Sequence, residues 1–211
     1  MLMSRRGPGT DPGVMKTNAS RCGCGRGDVH PIDVLLQEHA TILAVLDAAE
    51  REVAAVAGGG PVREPFWRRY LDFLGNYADR CHHGKEEDVL FAELEQQLPA
   101  WRLSGPTRCM RDEHDEMRRG RHRVAELLTG DDAPALCGAV REGIDELRLH
   151  IGKENEVLFP MARAALDAVA IGRLRAGFAR IEHVDMGPGA HQRFEALARA
   201  LAEEAGEPAR S

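Results

Sequence analysis

At 211 residues and 43% hydrophobic content, the chain is long enough for one domain with a proper core, with room for an appendage. Its 28 Lys+Arg against 34 Asp+Glu give a net charge of −6 and no dense basic face, which argues against a nucleic-acid partner. No run of 18 or more apolar residues occurs, and no apolar stretch follows the N-terminal arginines, so neither a membrane span nor a secretory signal is expected and the protein is expected in the cytoplasm.

Residues 1–29 are rich in Gly, Arg, Pro and Ser without periodicity and read as a disordered leader. The spacing of Cys22 and Cys24, with no second pair, falls short of a zinc site, and the odd, scattered set of five cysteines reads as reduced thiols. From Pro31 an apolar stripe runs through Leu35, Leu36, His39, Ile42, Leu43, Leu46 and Val53, which predicts an amphipathic helix that stops at the glycines of 58–60. A second helix is expected over about 64–97, with Trp67, Leu71, Leu74, Ala78, His82, Glu86, Val89 and Leu90 on one face. A loop near 98–105 leads to a third helix over 106–128, carrying Met110, His114, Met117, Arg121, Val124 and Leu128. The fourth, about 132–167, carries Leu136, Val140, Leu147, His150, Glu154, Val157, Leu158 and Met161, with a kink expected at Pro160. Two shorter helices broken at Gly187-Pro188-Gly189 complete the chain. The expected fold is all-α: an antiparallel up-down-up-down four-helix bundle over 30–167 with a C-terminal helical appendage over 168–211.

Six ionisable residues, His39, His82, Glu86, His114, His150 and Glu154, fall on the core-facing stripes. A buried carboxylate without a partner costs several kcal/mol, so groups of this kind need a shared counter-charge, and a bound cation is the simplest one. Residues four apart share a helix face, which lets His82 with Glu86, and His150 with Glu154, reach one site. The chain repeats itself: "QEHATI" and "HHGKEEDVLF" are echoed by "DEHDEM" and "HIGKENEVLF", about 70 residues on. Counted at 1.5 Å per residue, His39 and His114 lie about 10–14 Å past their helix starts and Glu86 and Glu154 about 15–20 Å before their helix ends, so all six come to one level of an up-down bundle. Six ligands exceed the four of tetrahedral zinc; two metals, each with two histidines and two bridging glutamates, fit the set. Gly84 and Gly152, each two residues after a His, suggest close helix approach near the site. Lys85, Glu87 and Asp88 read as a solvated face, with Lys85 and Lys153 also able to pair with carboxylates at the surface.

These motifs, covering about residues 31–165, resemble the hemerythrin family in its bacterial HHE cation-binding branch. The resemblance implies a non-haem di-iron site, two Fe ions with an oxo or hydroxo bridge, with His39, His82, His114 and His150 as terminal ligands and Glu86 and Glu154 as bridges. Mn or a mixed pair is equally compatible with imidazole and carboxylate ligands. Oxygen carriers of the family have a fifth His one turn after the third-helix His and a bridging Asp five residues after the last; here Arg118 and Glu154 stand instead, which points away from reversible O2 carriage. His83 is a candidate additional ligand or an outer partner. The expected function is binding of O2, peroxide or NO, with catalase-like peroxide breakdown as its enzymatic form; a redox, iron or NO sensor without turnover and a purely structural metal site are the alternatives. Ferritin-like oxidases use Glu-x-x-His, which no His here satisfies. His191 with Glu195 forms a third His-x-x-x-Glu but lacks the flanking echo and reads as an ordinary helix-start histidine, in an appendage expected to pack over the bundle.

Overall fold

The computed structural model describes residues 29–206, and helices are the only regular elements among them. The leader, apart from Val29, and the Cys22–Cys24 pair lie outside the described residues. Helix α1 is Pro31–Ala57; His30 caps it by accepting from Ile32 N–H at 3.2 Å, and Gly59, at φ +93°, ends it. Helix α2 runs unbroken over 64–97. The expected loop contains one short helix, α3 (Trp101–Ser104), before α4 (Pro106–Leu127). Helix α5 spans 133–165 and starts at Asp132, whose carboxylate accepts from Ala135 N–H. Helix α6 covers 168–185, capped by Asp167, and α7 is Ala190–Glu204. Gly187 and Gly189, both at positive φ, make the break between them, a conformation glycine adopts without steric cost.

Helices α1, α2, α4 and α5 each contact two of the others, closing a ring around a shared interior, while α6 and α7 pack on α1 and α2. The interior holds two apolar clusters. One gathers Ile42, Leu46, Trp67, Tyr77, Val124, Ile144, Phe194 and Leu201; the other gathers Leu35, Leu90, Phe91, Met110, Leu158, Phe159, Leu174 and Phe178. Along α1, His39 falls between Leu35 of the second and Ile42 of the first, and His114 likewise falls between Met110 and Val124 of α4. The ionisable residues thus form a polar layer where the core divides.

Three stretches in α2 and α5 depart from 3.6-residue geometry, and each carries a candidate site residue. In α2, Leu74–His83 and Glu86–Phe91 are π-helical; in α5, Glu154–Leu158 is. A π turn inserts an extra residue and rotates everything beyond it. Val157 and Met161, expected on the buried stripe, are therefore exposed (53% and 41%); Leu158 is buried as expected, and Phe159 and Ala162 are buried with it. Pro160 has no N–H to continue the α-helical ladder, and the widened turn lies just before it.

The close approach expected at Gly84 and Gly152 is not found: a Cβ at either position meets nothing within 4 Å. Gly177 of α6 is instead tight against α2, since a Cβ there would lie 2.6 Å from Val89 Cγ1. Gly84→Ala and Gly152→Ala are accordingly expected to be tolerated and to gain up to about 1 kcal/mol of helix propensity. Gly177→Val is expected to lose about 1–3 kcal/mol by overpacking, read as opposite shifts in chemical-denaturation midpoint.

Candidate metal centre

The structure brings all six residues expected from the stripes into one buried cluster, together with His83, the candidate additional ligand. His39, His82, Glu86 and Glu154 form one group, and His83, Glu86, His114 and His150 a second that shares Glu86. Glu154 also faces both, with Oε2 3.2 Å from His39 Nε2 and Oε1 3.3 Å from His150 Nε2. Glu86 mirrors it, its two oxygens each 3.5 Å from His82 Nε2 and His114 Nε2.

Each of these four imidazoles is oriented from outside by the residue next to an inner one on a neighbouring helix. His39 Nδ1 donates to Asn155 Oδ1 (2.7 Å), His82 Nδ1 to Glu38 Oε2 (3.0 Å), His114 Nδ1 to Glu87 Oε1 (2.6 Å) and His150 Nδ1 to Glu113 Oε2 (2.9 Å). A proton held at Nδ1 leaves the Nε2 lone pair pointing inward, the tautomer a metal ligand needs. Glu87 is itself gripped by Arg118, which also holds Asp79. Glu38, Glu87, Glu113 and Asn155 are functional candidates that the stripe analysis passes over. Their signal lies in the repeat, since Glu38 and Glu113 are the Glu of each "EH", and Glu87 and Asn155 each follow the Glu of His-x-x-x-Glu.

His83 is buried, stacks on His114 with ring centroids 3.8 Å apart, and has no hydrogen bond to either ring nitrogen. Two adjacent residues cannot both face inward from an ideal α-helix; the π-helical stretch through His82 and His83 allows it. Lys85 corrects a further expectation. It is fully buried rather than solvated, bonded to Glu38 and to Glu182 of α6. His191 is also more than a helix-start residue: it is buried, 3.7 Å from both Cys81 Sγ and Glu38 Oε1, with Nε2 3.2 Å from Glu195. His183 is exposed.

The donor set fits metal ions by an independent criterion. All four oxygens of Glu86 and Glu154 are buried and have no hydrogen-bond donor, although an orphaned buried carboxylate is among the costliest groups a protein can hold. His114 Nε2 and His150 Nε2 lie 3.0 Å apart, an approach of two lone pairs that a cation or a proton must relieve. Without a cation the electrostatics split: burial and the charge of Glu154 push the Glu86 carboxyl well above its ordinary range, whereas His150 outweighs burial and holds Glu154 below its own. Burial, reinforced by His39, pushes His82 down to about 3; burial also pushes His114 well down.

A match to the hemerythrin HHE cation binding domain covers residues 30–162. The chain belongs to the hemerythrin family. Curated relatives include the iron-sulfur cluster repair protein YtfE of Escherichia coli O1:K1 / APEC and that of Escherichia fergusonii, each 34% identical over 104 residues, 46% of this chain and 46% of theirs. The chain spans about half the length of the curated relatives it matches. No solved structure is matched. No described helix is long and apolar enough to cross a membrane.

The depressed histidines set the expected pH response. A histidine whose folded pKa lies below the unfolded value of 6.5 contributes stability that is present above pH 6.5 and lost as pH falls toward the folded value, here about 3 for His82. Each such group costs about 1.4 kcal/mol per pH unit in that window. Metal-free protein is therefore expected to lose melting temperature as pH falls from 6.5 toward about 4, and, because ligating imidazoles must be unprotonated, loaded protein is expected to release metal in acid, measured by metal content after desalting at stepped pH.

Proposed function

We propose that this hemerythrin-family chain is a non-haem di-iron protein that binds a small redox-active molecule: O2, peroxide or NO. The observation that carries the reading is the set of four orphaned carboxylate oxygens facing four imidazole Nε2 atoms in a closed interior. One iron would be held by His39 and His82 and the other by His114 and His150, with Glu86 and Glu154 shared by both groups; His83, beside His114, would be a further ligand or a neighbour of the incoming molecule. The bound pair supplies one-electron redox chemistry and coordination positions left open by the protein. The chain's own residues fix four imidazoles through Glu38, Glu87, Glu113 and Asn155, exclude bulk water, and stack the His83 ring on His114. In the same reading, α1, α2, α4 and α5 run up-down-up-down as a bundle over 30–167, α6 and α7 form the appendage, and the protein works in the cytoplasm.

The curated relatives favour a second reading. A protein similar to an iron-sulfur cluster repair protein would release iron rather than turn a ligand over. The test is iron-loaded protein given hydrogen peroxide, and separately azide or NO, with O2 evolution, spectrum and retained iron followed together. Di-iron ligand binding predicts a near-ultraviolet band that shifts with azide or NO, and catalase-like turnover adds sustained O2 release. Iron donation predicts loss of iron to a chelator or an apo acceptor without turnover. An unchanged spectrum would leave a structural site, and His122→Ala, an exposed residue, should change none of these readouts.

A further inference from the structure

The support around the centre is built twice, and the lysines of the two copies differ in their surroundings. Glu113, preceding His114, accepts from both His150 Nδ1 (2.9 Å) and Lys153 Nζ (2.5 Å). Glu38, preceding His39, accepts from both His82 Nδ1 (3.0 Å) and Lys85 Nζ. Lys85 and Lys153 occupy the same place in the two "GKE" repeats. Lys153 keeps 40% of its side chain in solvent, whereas Lys85 keeps none. Helix α6 makes the difference: Glu182 Oε1 accepts from Lys85 Nζ at 2.7 Å, and the Phe178 ring lies 5.7 Å from the same ammonium. An ammonium removed from water needs compensating charge, and here it is shared between Glu38 and a carboxylate from beyond residue 162, where the family match ends.

We propose that Glu182 is a positioning residue for His82: by taking up part of the charge and hydrogen bonding of Lys85, it lets Glu38 hold His82 Nδ1, and so ties the metal position beside His39 and His82 to docked α6. The inference rests on the two-metal reading above. With Glu182 neutral, the ammonium leans on Glu38 alone and draws it away from His82, which loses its fixed orientation and part of its basicity. Outer partners of ligating histidines typically contribute 10- to 100-fold in metal affinity. By linkage, if docked α6 strengthens that metal, the metal must strengthen the docking of α6 by the same factor. The position beside His114 and His150, whose Lys153 is served by solvent, carries no such dependence.

The test uses the full chain and ferrous iron without oxygen, titrated against a competing chelator, with hydrogen exchange of α6 amides with and without iron. Glu182→Gln is expected to weaken one of the two irons about 10- to 100-fold, to spare the other, and to remove the iron-dependent protection of α6. Glu182→Asp, which keeps the charge, should restore part of both effects and serves if the Gln variant does not fold. Leu174→Ala, a buried apolar change on the same helix, should lower the melting temperature while leaving both affinities in place. Two unchanged affinities in Glu182→Gln, or equal loss in Leu174→Ala, would overturn the positioning role while the two-metal reading stands. A wild-type chain that binds fewer than two irons would overturn both.

Discussion

Glu86→Gln is expected to act in opposite directions on the loaded and the metal-free protein. In loaded protein it removes the carboxylate shared by both ligand groups, so iron should fall from about two per chain to one or none, and the stabilisation brought by iron should fall with it. In metal-free protein the same change is expected to be neutral or stabilising. Burial and Glu154 raise the Glu86 pKa well above its ordinary value. A carboxyl with a raised folded pKa contributes stability below its unfolded pKa, near 4.5, and loses it as pH rises toward the folded pKa, at about 1.4 kcal/mol per pH unit. An uncharged amide of the same shape has no such loss. Melting curves of both forms at pH 5 and pH 7.5 test this: metal-free wild type should weaken relative to metal-free Glu86→Gln as pH rises, while loaded wild type should outlast the loaded variant at pH 7.5. If Glu86→Gln weakens the metal-free protein as much as the loaded one, Glu86 is an ordinary structural acid.

Metal loading by itself is expected to have the second large effect. A ligand present at about 1,000 times its dissociation constant stabilises the native state by about 4 kcal/mol. For a chain of this length each kcal/mol raises the melting temperature by roughly 2–4 °C, so one such ion adds roughly 8–16 °C and a second adds to it. The gain should reverse on chelation and should be concentrated in α1, α2, α4 and α5, which carry the inward imidazoles and carboxylates. A melting temperature indifferent to iron would mean that the orphaned oxygens of Glu86 and Glu154 are relieved by protons.

Much of this arrangement is legible in the residues because two periodicities coincide. The apolar stripes place the third and fourth helices over 106–128 and about 132–167, close to the observed 106–127 and 133–165, and the first two over 31–57 and 64–97 as observed; the doubled His-x-x-x-Glu picks out the inner residues, since only charged groups written onto an apolar face demand a common explanation. What escapes the pattern does so for identifiable reasons. Val157 is misplaced because a 3.6-residue rule carries no information about π turns, which also explain how His83, already a candidate ligand in the sequence, faces inward beside His82. Lys85 is misread because its burial is imposed by α6, about 100 residues away in the chain, while its counterpart Lys153 does lie at the surface. Gly84 and Gly152 mislead because each faces open space, whereas the glycine pressed between helices, Gly177, belongs to α6. The outer partners are written in the repeat itself, in "EH" and in the residue after each inner Glu, Glu87 and Asn155, but are recognised only once the cross-helix pairings of Glu38 with His82 and Glu113 with His150 are seen.

Iron per chain is the most direct test of the central claim. Protein reconstituted with ferrous iron without oxygen, freed of excess metal and then exposed to air should hold about two irons and develop an oxo-bridged near-ultraviolet band that shifts with azide. One metal or none, with a featureless spectrum that azide leaves unchanged, would contradict the di-iron account.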